Sequence, residues 1–439
     1  MYIAVDDTDS REGMCTTYLL SEIIIRSGMD LIGYPHLVRL NPAIKHKTRG
    51  NGALCANLGE GKGLPLKIGS FNGKDIMSYP DEERGTKSTD LVQLASEIVG
   101  EMAVLDEPDT NPGIVASCNE FDPSFYWKAV REEVSIDQAE EFIKKQGGEY
   151  RKFKNGRGII GAAAAISWPA KQVTYEFLAY TFPKGDHLGA DLKLRIASMA
   201  NRIPGSFNNI DRRNNHAAIF PSERTPVVLG IRAIKPEALL AEGPEIVAET
   251  GSVIERCLLF RTNQATDDHI IPDPAELRNG CSYSIEGTVK VQPYSISGGH
   301  YFAELQSRHM ELAIAAFEPT KEFRKTFSKL APGDNVRVFG TYKENCLNVE
   351  KMEIKSVSDI YNRVPPECGE CGDRMHSRGK GDYRCYRCGN RGKLASYELE
   401  PREIDVGKFD VPVMSRRHLS RPFELDFNDG VVTLSEVYA

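Results

Sequence analysis

The chain opens with an apolar run over Tyr2 to Val5 that alternates at the spacing of a short strand. Acids and turn formers follow from Asp6 to Gly13. Apolar positions then recur at helical spacing in TTYLLSEIIIRSG, which ends on Gly28 as a helix stop. A second strand, LIGYPHLVRL, leads into NPAIKHKTRGNGAL, where Asn, Pro and the glycines mark a tight loop between two extended pieces. This pattern predicts a mixed α/β unit over residues 1–115, closing near DEPDTNPG.

Residues 116–270 carry a helix at SIDQAEEFIKKQG, an apolar strand at GIIGAAAAIS, a strand at VTYEFLAYTF and a helix at LGADLKLRIASMANRI, ahead of the FNNID loop. Alternation of this kind predicts an α+β domain of the ferredoxin-like type. Over 281–357 the pattern turns to strands: YSIEGTVKVQPYSI, HYFAEL, MELAIAAF, then a helix KEFRKTFSKL, then NVRVFGTYK and CLNVEKMEI. Five short strands with a helix between the third and fourth are the order of an OB-fold barrel, whose exposed face commonly binds single-stranded nucleic acid. An SH3-like barrel also has five strands but does not normally place a ten-residue helix there. Residues 364–395 form a small cysteine-bearing module. Residues 396–439 form a tail whose apolar content suits packing back on the body. The fold class expected is multidomain α+β.

Composition adds limits. At 439 residues, 41% hydrophobic and 27% charged, the chain is ordinary globular material, which excludes fibrous, collagen-like and wholly disordered classes. Its net charge of −7 argues against nucleic acid only if charge is spread evenly, because binding follows where the charges sit. The N-terminus lacks the basic and apolar regions of a signal peptide, and no apolar run approaches the roughly 18 residues of a membrane helix. A soluble, cytoplasmic protein is expected.

Four of the ten cysteines, Cys368, Cys371, Cys385 and Cys388, make two C-x-x-C pairs thirteen residues apart. Two such knuckles complete a closed tetrahedral S₄ site, the chemistry of a structural zinc ribbon and not of a catalytic metal. Around them lie Arg374, Arg378, Lys380, Arg384, Arg387, Arg391 and Lys393, interleaved with Tyr383 and Tyr386. That local excess of positive charge predicts a surface that tracks phosphates.

Candidate chemistry gathers near the N-terminus. Asp6, Asp7 and Asp9 crowd the end of the first strand, a costly arrangement unless a cation offsets it. Mg²⁺ bridging to nucleotide phosphates is the economical explanation, with Asp7 and Asp9 as its ligands. Thr8 lies among them, and Thr16 and Thr17 open the first helix, where backbone amides make an anion site. The loop Lys47-Thr48-Arg49-Gly50-Asn51 supplies positive charge and close backbone approach for a triphosphate, although no Walker A pattern is present. The residues alone leave three classes open: a nucleotide-dependent enzyme acting on nucleic acid, a non-catalytic single-strand-binding protein, and a metal-dependent phosphoesterase. The third is disfavoured because no histidine lies near the acids in the sequence.

DDTDS, GMCTTYL, RLNP followed by KTRGNGA, and then NPGIV, FKNGRGIIGAAAAI, FNNID, PVVLGIR and TNQATDDH occur together in this order. In this the chain resembles the archaeal tRNA agmatinylcytidine synthetases over nearly its whole length. The resemblance implies an ATP-dependent ligase that joins agmatine to the wobble cytidine of an isoleucine tRNA with a CAU anticodon. The agmatidine formed lets that tRNA decode AUA, and the reaction is written with AMP and diphosphate as products. It further implies a kinase-like N-terminal domain, a ferredoxin-like domain, an OB-fold and a zinc ribbon, with Thr16 as an autophosphorylated residue. For the agmatine pocket, which needs an acid or an aromatic surface, Asp211 in FNNID and Asp268 in TNQATDDH are the candidates.

Overall fold

The computed structural model describes residues 1–46, 50–83, 90–182, 188–221 and 224–425. Lys47, Thr48 and Arg49 lie outside the described residues, as does the end of the tail beyond residue 425.

Ten strands form one sheet. They are β1 (Tyr2–Asp6), β2 (Asp30–Arg39), β3 (Gly52–Gly59), β4 (Leu66–Phe71), β5 (Lys74–Tyr79), β6 (Gly113–Ser117), β7 (Glu149–Lys152), β8 (Thr174–Tyr180), β9 (Val227–Ala233) and β10 (Arg256–Thr262). Their order across the sheet is β9-β8-β10-β4-β5-β2-β3-β1-β6-β7. The expected boundary at residue 115 falls inside β6, which pairs with β1 from Gly113↔Asp6 to Ser117↔Tyr2, so the first unit does not stop there. The seam between the early and late strands is continuous: β10 pairs antiparallel with β4 and parallel with the end of β2. At that seam a β-carbon on Gly69 would stand 2.2 Å from the Cys257 carbonyl oxygen, so the close approach requires glycine.

Helices cover both faces, and the strand alternation divides two cores. Ile3, Val5, Leu54, Ala56 and Leu58 point to one side, against α1 (Thr16–Ser27), α2 (Asp90–Met102), α6 (Ala190–Ala200) and α7 (Pro236–Ala248). Ala4, Ala53, Cys55 and Val115 point to the other, against α3 (Ser124–Arg131), α4 (Ile136–Lys145) and α5 (Gly158–Ile166). Here the sequence expectation needs correction: GIIGAAAAIS is α5, not a strand. Eight of its nine residues are buried, so the run shows no polar side from which a helical period can be seen, and four successive alanines favour helix over strand.

The next unit is a closed barrel of β11 (Ser282–Ile296), β12 (His300–Ser307), β13 (Glu311–Ala316), β14 (Asn335–Lys343) and β15 (Cys346–Ser356). Pairing runs β11-β12-β13-β15-β14 and returns to β11 through its ladder with β14. The helix between the third and fourth strands, α8 (Glu322–Phe327), is six residues long, shorter than the expected ten. Beyond the barrel, residues 361–364 and 396–399 pair as a two-stranded neck, with Val364 opposite Ser396, and the cysteine module lies between them.

The chain then returns to the body. Residues 407–410 pair with β15, Val411 enters the barrel core, and Leu419 enters the core beneath α5. The backbone amides of Ala265 and Asp267 donate to the carbonyls of His418 and Leu419, which ties the tail to the loop after β10.

Candidate active site

A cavity of about 450 Å³ opens where β1 and β2 end and α1 begins. Its volume lies within the roughly 300–1,000 Å³ of small-molecule sites. Asp6, Asp7, Asp9, Thr16, Thr17, Gly50 and Asn51 line it, so the acid cluster, the helix start and the described part of the glycine loop converge as the sequence predicts. Thr8 does not line the cavity. It is fully buried, and its hydroxyl has no hydrogen-bond partner among the described residues.

The acids owe their placement to a kink and two glycines. Asp7 sits at φ 58°, in the left-handed region that side chains other than glycine adopt rarely, and its amide donates to Asp6 Oδ1 at 2.7 Å. Helix α5 packs its glycine face on this turn: a β-carbon on Gly158 would stand 2.4 Å from the Asp6 carbonyl oxygen. A β-carbon on Gly161 would stand 1.9 Å from Asp6 Oδ2. Burial, reinforced by Asp7, pushes the Asp6 carboxyl well above the usual carboxylate range. Burial also raises Asp7 to about 7, although Arg157 Nη2 donates to its Oδ2 at 2.9 Å and opposes the shift.

Opposite the acids, Cys15 is the N-cap of α1 and makes no side-chain cap bond. Thr16 and Thr17 instead occupy the first turn, with the Cys15 sulfur 3.1 Å from the Thr17 hydroxyl. Asn51, at φ 46°, donates through Nδ2 to the Asn41 carbonyl at 2.9 Å, which braces the glycine loop.

Sequence reasoning missed a second charged group. Glu176 of β8 is buried and accepts from Arg232 Nε at 3.0 Å and Gln264 Nε2 at 2.6 Å, while Arg39 Nη2 lies 3.9 Å away. Arg39, Arg157 and Arg232 all line the cavity, as do Glu132, Glu133 and His418. The signal for these residues was weak because, apart from the adjacent Glu132 and Glu133, each comes from a different part of the chain. Arg39 and Glu176 sit in strands whose apolar pattern hides them, and His418 lies in the tail. The histidine argument from sequence neighbourhood also fails in space, since His46 and His418 share the cavity with the acids.

The two agmatine candidates are elsewhere. Asp211 accepts from the Asn214 side chain and from the Met414 amide at 3.3 Å, so it fixes its own turn and holds the tail. Asp268 accepts from the Tyr126 hydroxyl at 2.5 Å. Neither lines the cavity, and both carboxylates serve packing.

In the cysteine module the four sulfurs lie within 4.8 Å of one another, with Cys368–Cys388 and Cys371–Cys385 at 3.5 Å. A tetrahedral zinc with Zn–S near 2.3 Å requires sulfurs about 3.8 Å apart, so the donor set fits zinc. Each knuckle closes on a glycine in the left-handed region, Gly372 at φ 71° and Gly389 at φ 81°. Among the described residues this is the one such converging set, and Asp6, Asp7 and Asp9 do not form another. The expected basic surface is partly altered. Tyr383 is buried in the module's core, Arg374 is paired with Glu398, and Tyr386 remains exposed between His376 and Arg378.

Family models match this arrangement in three blocks: "TiaS TCKD domain" over residues 2–155, "TiaS FLD domain" over 156–269 and "TiaS C-terminal zinc ribbon domain" over 365–404. The 2-agmatinylcytidine synthetase TiaS of Thermoplasma volcanium, an enzyme of isoleucine tRNA, is 47% identical, with 97% of both chains covered. The chain belongs to the TiaS family. The TiaS of Archaeoglobus fulgidus is 35% identical over 96% of both chains. A solved complex of TiaS with isoleucine tRNA and ATP matches with a TM-score of 0.81 at 33% identity, covering 96% of each chain. A complex of TiaS with isoleucine tRNA, AMPCPP and agmatine matches with a TM-score of 0.77 at 32% identity, again over 96% of each.

Proposed function

We propose that this chain is an ATP-dependent ligase that conjugates agmatine to C2 of the wobble cytidine in the CAU anticodon of an isoleucine tRNA, forming agmatidine. The observation that carries this reading is the cavity in which the acid cluster, the start of α1 and three arginines meet, within a chain that matches TiaS proteins end to end. On this reading the first unit is the kinase-like domain, β8 to β10 with α6 and α7 form the ferredoxin-like domain, and the barrel is an OB-fold, consistent with its closing order.

Cytosine C2 is a poor electrophile, so an amine displaces its oxygen only after that oxygen becomes a leaving group. Phosphoryl transfer to O2 supplies one. Asp7 and Asp9 would hold Mg²⁺, whose charge would offset the burial and mutual repulsion that raise Asp6 and Asp7. Bound Mg²⁺ would stabilise charge on the transferred phosphoryl group. Lys47, Thr48, Arg49, Gly50 and Asn51 belong to the phosphate side with Thr17, and Thr16 stands at the nucleotide as phosphoryl acceptor. For the guanidinium, Glu133 in the cavity wall is the candidate in place of Asp211 and Asp268, since its neighbour Glu132 is already paired with Arg278. Arg378, Lys380, Arg384, Arg387 and Arg391 track the tRNA backbone.

The test is incubation of purified protein with ATP, Mg²⁺, labelled agmatine and unmodified CAU-anticodon tRNA. Label is expected in the tRNA, and its absence with folded protein and intact tRNA overturns the reading.

A further inference from the structure

One cation in the cavity wall has no close counter-charge of its own. Arg39 is the last residue of β2, and its side chain is only 15% exposed. Its Nε is buried and has no hydrogen-bond partner among the described residues. Nη1 reaches the Gly50 carbonyl only at 3.5 Å, and Nη2 stops 3.9 Å from Glu176 Oε2, beyond hydrogen-bond distance. Glu176 is already engaged by Arg232 Nε at 3.0 Å and Gln264 Nε2 at 2.6 Å. A guanidinium carries five N–H donors, so most of this fork has no protein partner. Other buried arginines are answered in full contact. Arg402 meets both oxygens of Asp334, at 2.6 and 2.7 Å, and Arg256 meets Glu22, Glu255, Ser21 and Tyr18.

The guanidinium lies over the loop that follows β2. A β-carbon on Gly50 would stand 2.6 Å from Nη1, and one on Gly52 would stand 3.0 Å from it, so both glycines make room for the fork. Arg39 lines the same cavity as Asp7, Asp9, Thr16 and Thr17. Burial, the largest influence, pushes its pKa below the ordinary arginine value, and Glu176 and Asp9 oppose the fall. A desolvated charge that lacks a close partner destabilises the ligand-free fold, and an anion entering the cavity would offset that cost.

From this unanswered fork, and resting on the ligase reading above, we propose that Arg39 is a catalytic residue that binds a phosphate oxyanion of the reaction. Its planar donors suit two oxygens of one phosphate group at once. Two anions of the reaction have this chemistry: the phosphates of ATP, and the phosphoryl group after its transfer to cytidine O2. In the transfer the O2–P bond forms and the bond from phosphorus to the nucleotide oxygen breaks, with its electron pair left on the nucleotide. When the amine nitrogen bonds to C2, the C2–O2 bond breaks. That pair leaves on the phosphate, which also takes one amine proton. Arg39 forms no covalent bond in either step and stabilises the charge on the phosphate oxygens.

Arg39→Met tests the assignment, because it keeps an apolar stem and removes the charge. Without ligands the variant is expected to unfold at the wild-type midpoint or above it, since a desolvated charge has gone. An arginine that only holds the fold together would show the opposite. Mg²⁺-ATP affinity is measured without tRNA, and agmatine incorporation is followed in single turnover with ATP and tRNA saturating. A loss of about tenfold or more in ATP affinity assigns the fork to the nucleotide phosphates. A loss of that size in rate alone assigns it to the transferred phosphoryl group. Arg39→Lys should show a smaller loss of the same kind at an unchanged midpoint, because one ammonium cannot match the fork. A lower ligand-free midpoint in both variants overturns the proposal, and so do affinity and rate both at the wild-type level in Arg39→Met. If the wild-type protein incorporates no agmatine, the ligase reading fails first, and the ATP affinities still decide the role of Arg39.

Discussion

A β-carbon on Gly161 has no room beside Asp6 Oδ2, so Gly161→Ala must push either α5 or the carboxylate away. Overpacking of this kind costs about 1–3 kcal/mol, read as a lower unfolding midpoint, and ATP turnover should fall with it because the acid cluster is displaced. Asp9→Asn is expected to abolish ATP turnover while tRNA affinity stays within twofold. Turnover at the wild-type rate would remove Asp9 from the metal site. Asp7 carries a pH signature. Its folded value near 7 exceeds the ordinary 3.8, so between these limits the folded chain keeps a proton that the unfolded chain has released. Its contribution therefore favours folding most at the acid end, and stability falls as pH rises through 7. Asp7→Asn should accordingly melt about 2–4 °C higher than the wild type at pH 8, with a smaller gain at pH 5, while losing ATP turnover. Mg²⁺-ATP should raise the wild-type midpoint and not the variant's. Single residues of this sort were legible where they cluster in sequence, as Asp6 to Asp9 and Thr16–Thr17 do. They were illegible where the cavity collects them from separate strands, as with Arg39, Glu176 and Arg232.

Amphipathic elements followed from their periods, since α1, β2, α4 and the barrel strands bury one face or stripe more than the other, whereas β1 and β8 are buried on both faces and were legible as short apolar runs. Helix α5 escaped because it is buried all round and carries no period at all. The zinc module is an element that does not hold itself together by apolar packing: its core is Cys368, Met375, Tyr383 and Cys385, with little else beneath it. Structural zinc supplies about 10–16 kcal/mol in small modules of this kind. A strong chelator should therefore release one zinc per chain and open residues 365–395 to protease. The sheet and barrel, with their own cores, should keep their unfolding midpoint, and a matching fall in that midpoint would contradict the independence of the module.

At the scale of the whole molecule, the tail changes how the ribbon must be removed. Truncation after Val364 would also discard Val411, His418 and Leu419, and so would damage the barrel, the cavity and a sheet core together. The neck offers a clean cut, because Val364 and Ser396 are paired neighbours on antiparallel strands. Replacement of residues 366–394 by a two-residue Asn-Gly turn should fold normally and retain basal ATP hydrolysis. Its tRNA affinity should fall, and the slope of log affinity on log salt should flatten by roughly 0.7–0.9 for each phosphate that the ribbon no longer neutralises. Equal affinity with and without the ribbon would contradict the basic surface. The net charge of −7 gave no hint of this arrangement, since acids at the cavity and bases on the ribbon offset each other in the sum.

The continuous seam between β4 and β10 also bears on how the chain is made. Until Arg256–Thr262 has left the ribosome, β4 has no β10 neighbour at its edge, and that edge is an open template for other nascent chains. A fragment ending after residue 155 is therefore expected to aggregate during expression, whereas one extended to residue 270 can close the sheet, and solubility of the two fragments made side by side measures the difference.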